Sequence, residues 1–169
     1  LEGLRATEQT LKLAGIACAG SGASRAAARA AVYLETPRGR VGVVAAASTF
    51  TPMSEAGNTD DHIRARPGIS AVRARPVVLV PASEMAAMQA LAQALGACDT
   101  PDSWLSRSDT ELRFGEQRFR LGTAAGLTYD VDESDRREVL RAVRSARQLA
   151  DFVAFTLHAH ESASGSGAV

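Results

Sequence analysis

Two imidazoles and a carboxylate stand close together near the end of this 169-residue chain: His158, His160 and Glu161. Neutral imidazole binds divalent metals and also moves protons near neutral pH. A neighbouring carboxylate can be a ligand, a base, or the acceptor that holds a ring's other nitrogen. His-x-His alone is a weak motif, because a metal site usually takes three or four protein ligands. The same residues also read as ordinary surface histidines at a polar strand end. On a continuing strand the two rings would share a face, whereas in a loop they can diverge.

Other constellations carry less. Arg66-Pro67-Gly68-Ile69 is a tight turn with a cation at its mouth, able to face an acidic substrate but favoured as structure. Asp60, Asp61 and His62 could hold an ion, yet a solvated loop tip is the better reading. Gly20-Ser21-Gly22-Ala23-Ser24 precedes a helix, where backbone amides attract anions. It lacks the Gly-Lys-Ser/Thr ending of a P-loop and the dinucleotide spacing, so a plain strand-to-helix turn is favoured. Asp99, Asp102 and Asp109 sit among turn residues and read as caps. No nucleophile elbow is present and neither cysteine neighbours a histidine in sequence, so covalent catalysis has no support.

The elements that must position these residues follow from periodicity. Asp151 to Leu157 is an apolar run read as a buried strand that delivers His158 at its end. A helix from Asp132 to Ala150 precedes it, with Val139, Val143, Ala146 and Ala150 as its inner stripe. Asp135 and Glu138 have the spacing of a capping box. Val32–Thr36 and Arg40–Ala47 form a hairpin about Pro37-Arg38-Gly39, and the second strand, apolar on both faces, is expected to be central in a sheet. A short helix from Leu4 to Ala14, a strand over Ile16–Ala19 and a Ser24-capped helix over Arg25–Ala31 come first. Ser48 to Ile69 is irregular and expected to be a mobile loop. Val77–Val80 is a strand, and Ser83–Leu95 a helix with Met85, Met88, Leu91, Ala92 and Leu95 inward. Glu111–Phe114 and Gln117–Leu121 make a second hairpin whose Arg-rich face is read as solvated.

Composition narrows the class. Forty-six per cent of the residues are hydrophobic, too many for a disordered chain, and the length suits one domain with a sizeable core. The formal net charge of zero argues against nucleic acid or an anionic membrane as partner. Lys12 is the only lysine, which with the Ala richness points to coding bias. Cys18 and Cys98, far apart in sequence, could pair as a disulfide, but two buried thiols are the favoured reading. No apolar run is long enough to span a bilayer. The sequence opens at Leu1-Glu2-Gly3-Leu4 in mid-pattern, without an initiator Met or a signal-peptide pattern, and is expected to lack an upstream piece. Residues 162–169 read as a flexible Gly/Ser tail after one domain over residues 1–161.

Taken in order, several segments resemble the capsule-synthesis CapA family, also called poly-γ-glutamate synthesis proteins. They are Glu2-Gly3-Leu4 through Leu13-Ala14-Gly15-Ile16, Ala19-Gly20-Ser21-Gly22, Ala28-Arg29, Val32-Tyr33-Leu34 and Gly39-Arg40-Val41-Gly42-Val43. Arg66-Pro67-Gly68-Ile69, Ala142-Val143-Arg144-Ser145-Ala146-Arg147 and Ala150-Asp151-Phe152-Val153 leading to Leu157-His158 complete the series. The match is weakest from about residue 76 to 128, which looks like a variable insertion.

The resemblance implies a calcineurin-type metallophosphatase architecture: an α/β layered sandwich of mixed sheet with flanking helices, here as an incomplete domain. It implies a divalent metal (Mn, Zn, Fe or Mg) in the complete protein, acting as a Lewis acid or generating hydroxide. Only His158 carries over as a metal ligand; His160 and Glu161 stand where the family commonly has Trp-Gly. The family's Asn-Asn-His and Gly-His-x-His segments would lie outside this chain, so the chain looks like the middle of such a protein and inactive alone. The implied substrate is an acidic polymer or cell-envelope component at an extracytoplasmic location, with Arg66 facing its carboxylates. Complementing segments of the parent, or a homo-oligomer, are the implied protein partners. The competing class is a non-catalytic binding or assembly module with incidental histidines.

Overall fold

The computed structural model describes residues 2–58, 64–97 and 103–161. The elements run α1 (Glu2–Leu13), β1 (Ser21–Gly22), α2 (Arg25–Arg29), β2 (Val32–Thr36), β3 (Gly39–Ala47), a 3-10 turn (Pro52–Ser54), β4 (Gly68–Ile69), β5 (Ala74–Val80) and α3 (Ala82–Ala94). They continue with β6 (Leu105–Arg107), β7 (Glu111–Phe114), β8 (Gln117–Leu121), β9 (Gly126–Val131), α4 (Glu133–Leu149) and β10 (Phe152–His158). The class is mixed α/β. The chain divides into two compact units: Leu1–Arg73 with Val131–His160, and Ala74–Asp130, with which Glu161 groups. No described helix is long and apolar enough to cross a membrane.

In the first unit β10, β3 and β2 form a three-stranded sheet in that order, so β3 is central, as its two apolar faces predict. β2 and β3 are antiparallel, paired from Val32↔Val43 to Thr36↔Gly39. The turn between them needs Gly39 at φ +124°, and a Cβ there would lie 2.5 Å from Asp151 Oδ2. That carboxylate instead accepts from the Arg40 amide at 2.8 Å, tying the hairpin to the entry of β10. β10 runs parallel to β3, which requires a crossover, and α4 supplies its last leg. Of the predicted stripe, α4 buries Val139 and Ala146 and leaves Val143 half-buried, and Ala150, buried as well, is its C-cap. Ala46, Val72 and Val139 form its core cluster.

Several local expectations change. Ile16–Ala19 forms no strand; β1 is only Ser21–Gly22, paired with β4. Gly22 is there for space: a Cβ would come within 2.6 Å of the Ala28 amide nitrogen and 2.7 Å of the Ala27 carbonyl carbon. The Gly20-Ser21-Gly22 segment is thus a packing turn against α2, whose N-cap Ser24 accepts from the Ala27 amide at 3.2 Å. Cys18 is exposed, contrary to the buried-thiol expectation, and its Sγ lies 3.5 Å from Ser21 Oγ. Cys98 lies outside the described residues.

The largest correction concerns β10. Its apolar run predicts burial, yet Phe152 is 64% exposed and Phe155 and Leu157 are each 45% exposed, with only Val153 and Ala154 half-buried. It is the edge strand of its three-stranded sheet, with a neighbouring strand, β3, on one side only among the described residues.

The second unit is a five-stranded sheet ordered β6-β7-β8-β5-β9. β6, β7 and β8 are an antiparallel meander, and β5 joins β8 in parallel. Gly115, at φ +57°, takes the first position of the predicted hairpin turn. Strand alternation puts Leu105, Leu112, Phe114, Phe119, Val78 and Val80 against Met85, Met88 and Ala92 of α3. Leu91 and Leu95, expected to point inward, remain exposed. β6 and β9 were not legible in the sequence. The unit spans the segment at about 76–128 where the family resemblance is weakest.

Candidate functional site

The register of the parallel pair decides where the histidines emerge. β10 and β3 are matched from Phe152↔Val41 to His158↔Ala47, so His158 leaves the sheet at the same end as Ala47. Carboxyl ends of parallel strands are where α/β sheets expose ligand-binding groups. The Ser48 amide donates to the His158 carbonyl at 2.9 Å, which carries the pairing one residue past the strand. The His160 amide donates to Thr49 Oγ1 at 2.9 Å. These bonds turn the chain so that the two imidazoles meet, with ring centroids 4.6 Å apart and planes at 60°. Both histidines are exposed.

The structure thus brings His158 and His160 together, while Glu161, half-buried, falls to the other unit. Among the described residues no three His, Cys, Asp or Glu side chains group to hold a metal. The donor type suits zinc or iron better than manganese or magnesium, but two imidazoles supply only part of a coordination shell. Asp60, Asp61, His62, Asp99 and Asp102 lie outside the described residues, as does the 162–169 tail. Arg66 is exposed, and its guanidinium donates to two carbonyls of its own loop, Nε to Glu55 O at 3.1 Å and Nη2 to Pro52 O at 3.4 Å.

The ends of β3 and β10 are anchored from below. Ala47 bridges to Ala71: its amide donates to Ser70 O at 2.9 Å and its carbonyl accepts from the Val72 amide at 2.8 Å. Ala71 is in turn held by Arg29, whose Nη2 donates to the Ala71 carbonyl at 2.8 Å. Arg29 is only 5% exposed, so its charge needs a buried countercharge. Asp135 provides it, fully buried, accepting Arg29 Nη2 at 2.6 Å on Oδ1.

Two further arginines complete the clamp. Arg73 donates Nε to Asp135 Oδ2 at 2.7 Å and Nη2 to Oδ1 at 3.0 Å, and Arg25 also pairs with Oδ1. Glu138, one turn along α4, takes Arg25 Nε at 3.0 Å and also pairs with Arg29. Burial alone would push the Asp135 carboxyl up. Hydrogen bonds from the Arg73 side chain and backbone, then from Arg29, outweigh it and hold the group well below the usual carboxylate range. The Arg73 guanidinium is held firmly protonated, chiefly by its hydrogen bonds to Asp135, against the opposing effect of burial.

The clamp is not legible in the local sequence. The spacing of Asp135 and Glu138 predicts a capping box, but the N-cap is Asp132, whose Oδ1 accepts from the Ser134 and Asp135 amides at 3.0 and 3.1 Å. One signal was available: Arg25 and Arg29, spaced i, i+4, share a face of an otherwise Ala-rich helix.

The model of a family described as bacterial capsule synthesis protein matches residues 1–165. The chain belongs to that family. Two proteins of Sinorhizobium fredii (strain NBRC 101917 / NGR234), the uncharacterized proteins y4sH and y4uA, are each 39% identical to it over 162 residues. The alignments cover 95% of this chain and 34% of each relative, so the chain spans about a third of the length of these curated relatives. Within this capsule-synthesis family member, the paired histidines lie at the end of β10, and the buried Arg–Asp clamp holds Ala71, which bridges to Ala47 at the end of β3.

Proposed function

We propose that this chain supplies the His158 arm of a metal-dependent enzyme of capsule or poly-γ-glutamate synthesis or hydrolysis. The observation that carries the reading is the register that brings His158 out beside Ala47, with the His160 ring 4.6 Å away. In the longer protein His158 would be a ligand to a divalent ion, which would supply Lewis acidity to a substrate carbonyl or phosphoryl oxygen. His160, next to it, would orient that ligand or bind from the outer side. Glu161 would serve as an acid/base or outer partner, and Arg66 would meet the carboxylates of an acidic polymer. The Arg29–Asp135 clamp fixes Ala71 and hence the strand end that presents the ligand.

The test is metal content and hydrolysis of a γ-glutamyl amide and a generic phosphoester by the full-length parent. His158→Ala should lose metal and orders of magnitude in turnover. His160→Ala should lose about 10–100-fold. Unchanged metal content and activity in His158→Ala would sink the assignment.

A second reading, a non-catalytic assembly module, is favoured by the exposed Phe152, Phe155 and Leu157 on β10, an apolar surface suited to another protein segment. An inactive full-length parent that contains no bound metal would put this reading ahead.

A further inference from the structure

The polar face of the second unit is more than a solvated surface. Arg113 on β7 pairs directly opposite Arg118 on β8. Like charges facing across a strand pair repel, so such a placement needs countercharge. Arg118 finds it in Asp130 at 2.8 Å and Glu111 at 3.3 Å. Arg120 binds the same two carboxylates, Nε to Glu111 at 2.8 Å and Nη1 to Asp130 at 2.9 Å. Both acids are therefore already committed to Arg118 and Arg120.

Beside this network lies a cleft of about 670 Å³, lined among others by Arg75, Arg107, Arg113, Arg118, Glu111 and Glu116. Arg118 is already paired with Asp130 and Glu111, while Arg75 and Arg107 form no ion pair among the described residues, which leaves that part of the lining cationic. Arg107 on β6 has its Nε buried with no hydrogen-bond partner among the described residues, a donor whose desolvation an incoming acceptor would compensate. Arg75, at the start of β5, is exposed. A planar guanidinium fork matches carboxylate oxygens two at a time. The volume is that of a small-molecule site and has room for more than one acidic group.

We propose that this cleft binds an oligocarboxylate, a ligand carrying at least two carboxylate groups, with Arg75 and Arg107 as its principal anchors. That the ligand is an anion follows from the cleft alone; the choice of carboxylate over phosphate rests on the capsule reading above. The site requires neither a metal nor His158.

The test is calorimetric titration of the chain, in chelator and at low salt, with a γ-linked glutamate pentamer and, separately, with tripolyphosphate. The pentamer should bind one-to-one, more tightly than tripolyphosphate, and weaken as salt rises. Arg75→Gln with Arg107→Gln should lower its affinity at least tenfold, with circular dichroism and the urea midpoint checked for each protein. Should the double variant fold poorly, Arg75→Gln alone, at an exposed position, should still lower affinity severalfold. The pentamer should bind equally well with and without chelator, which separates this site from the metal reading. Absence of pentamer binding, equal binding by the arginine variants, or tighter binding of tripolyphosphate would overturn the proposal. None of these results would bear on metal content in the parent.

Discussion

Arg73 grips Asp135 three times: through Nε at 2.7 Å, through Nη2 at 3.0 Å, and through its own backbone amide at 2.9 Å to Oδ2. The residue that ends the first segment of one unit is thereby locked to the first turn of the helix that leads into β10. With Arg25 and Arg29 on the same carboxylate, Asp135 is the point where α2, Arg73 and α4 are tied together.

Replacing Asp135 with Ala should therefore be among the most damaging changes in this chain. It leaves Arg29 buried without its main countercharge, a loss of about 3–5 kcal/mol for a broken buried pair. Urea denaturation of wild type and Asp135→Ala checks this. A midpoint shift equivalent to under about 1 kcal/mol would show that the clamp is dispensable.

The same carboxylate should shape acid stability. Its folded pKa is depressed, so its contribution is complete above the ordinary Asp value of about 3.9 and is lost as pH falls below it toward the lower folded value. Asp130, held low first by its hydrogen bond to Arg120, adds in the same direction. Stability measured from pH 6 down to pH 2 should fall steeply below about pH 4. In Asp135→Asn the slope should be shallower, because one group that takes up a proton on unfolding is gone.

Metal binding by this chain alone should be weak. His158 and His160 provide two imidazoles, and no third metal-binding side chain joins them among the described residues. Titration with zinc or manganese should give no tight one-to-one site. A tight site would mean that further ligands come from this same chain.

Gly22→Ala should destabilise through backbone overlap. The added methyl would press on the Ala28 nitrogen and Ala27 carbonyl carbon, neither of which can rotate away. A cost of about 1–3 kcal/mol is expected for such overpacking. Thermal unfolding reads it, with Gly3→Ala, where a methyl meets nothing within 4 Å, as the control.

Local signals in the sequence determined much of this protein. The 3.6-residue stripe of α4, the alternation of β7 and β8, the two hairpins and the central, doubly apolar β3 all follow from neighbours a few residues apart. Family membership was legible too, because it rests on ordered segments along the chain.

Tertiary structure alone decided the rest. Arg29 and Asp135 are 106 residues apart, and no local period records that two such groups will meet in a buried place. The exposure of Phe152, Phe155 and Leu157 was equally hidden, since an apolar run shows what a strand could bury and not whether anything covers it. The meeting of the His158 and His160 rings was left open by their spacing. It was settled by the Ser48 and Thr49 hydrogen bonds, contacts from a segment 110 residues earlier that bend the chain just where the strand ends.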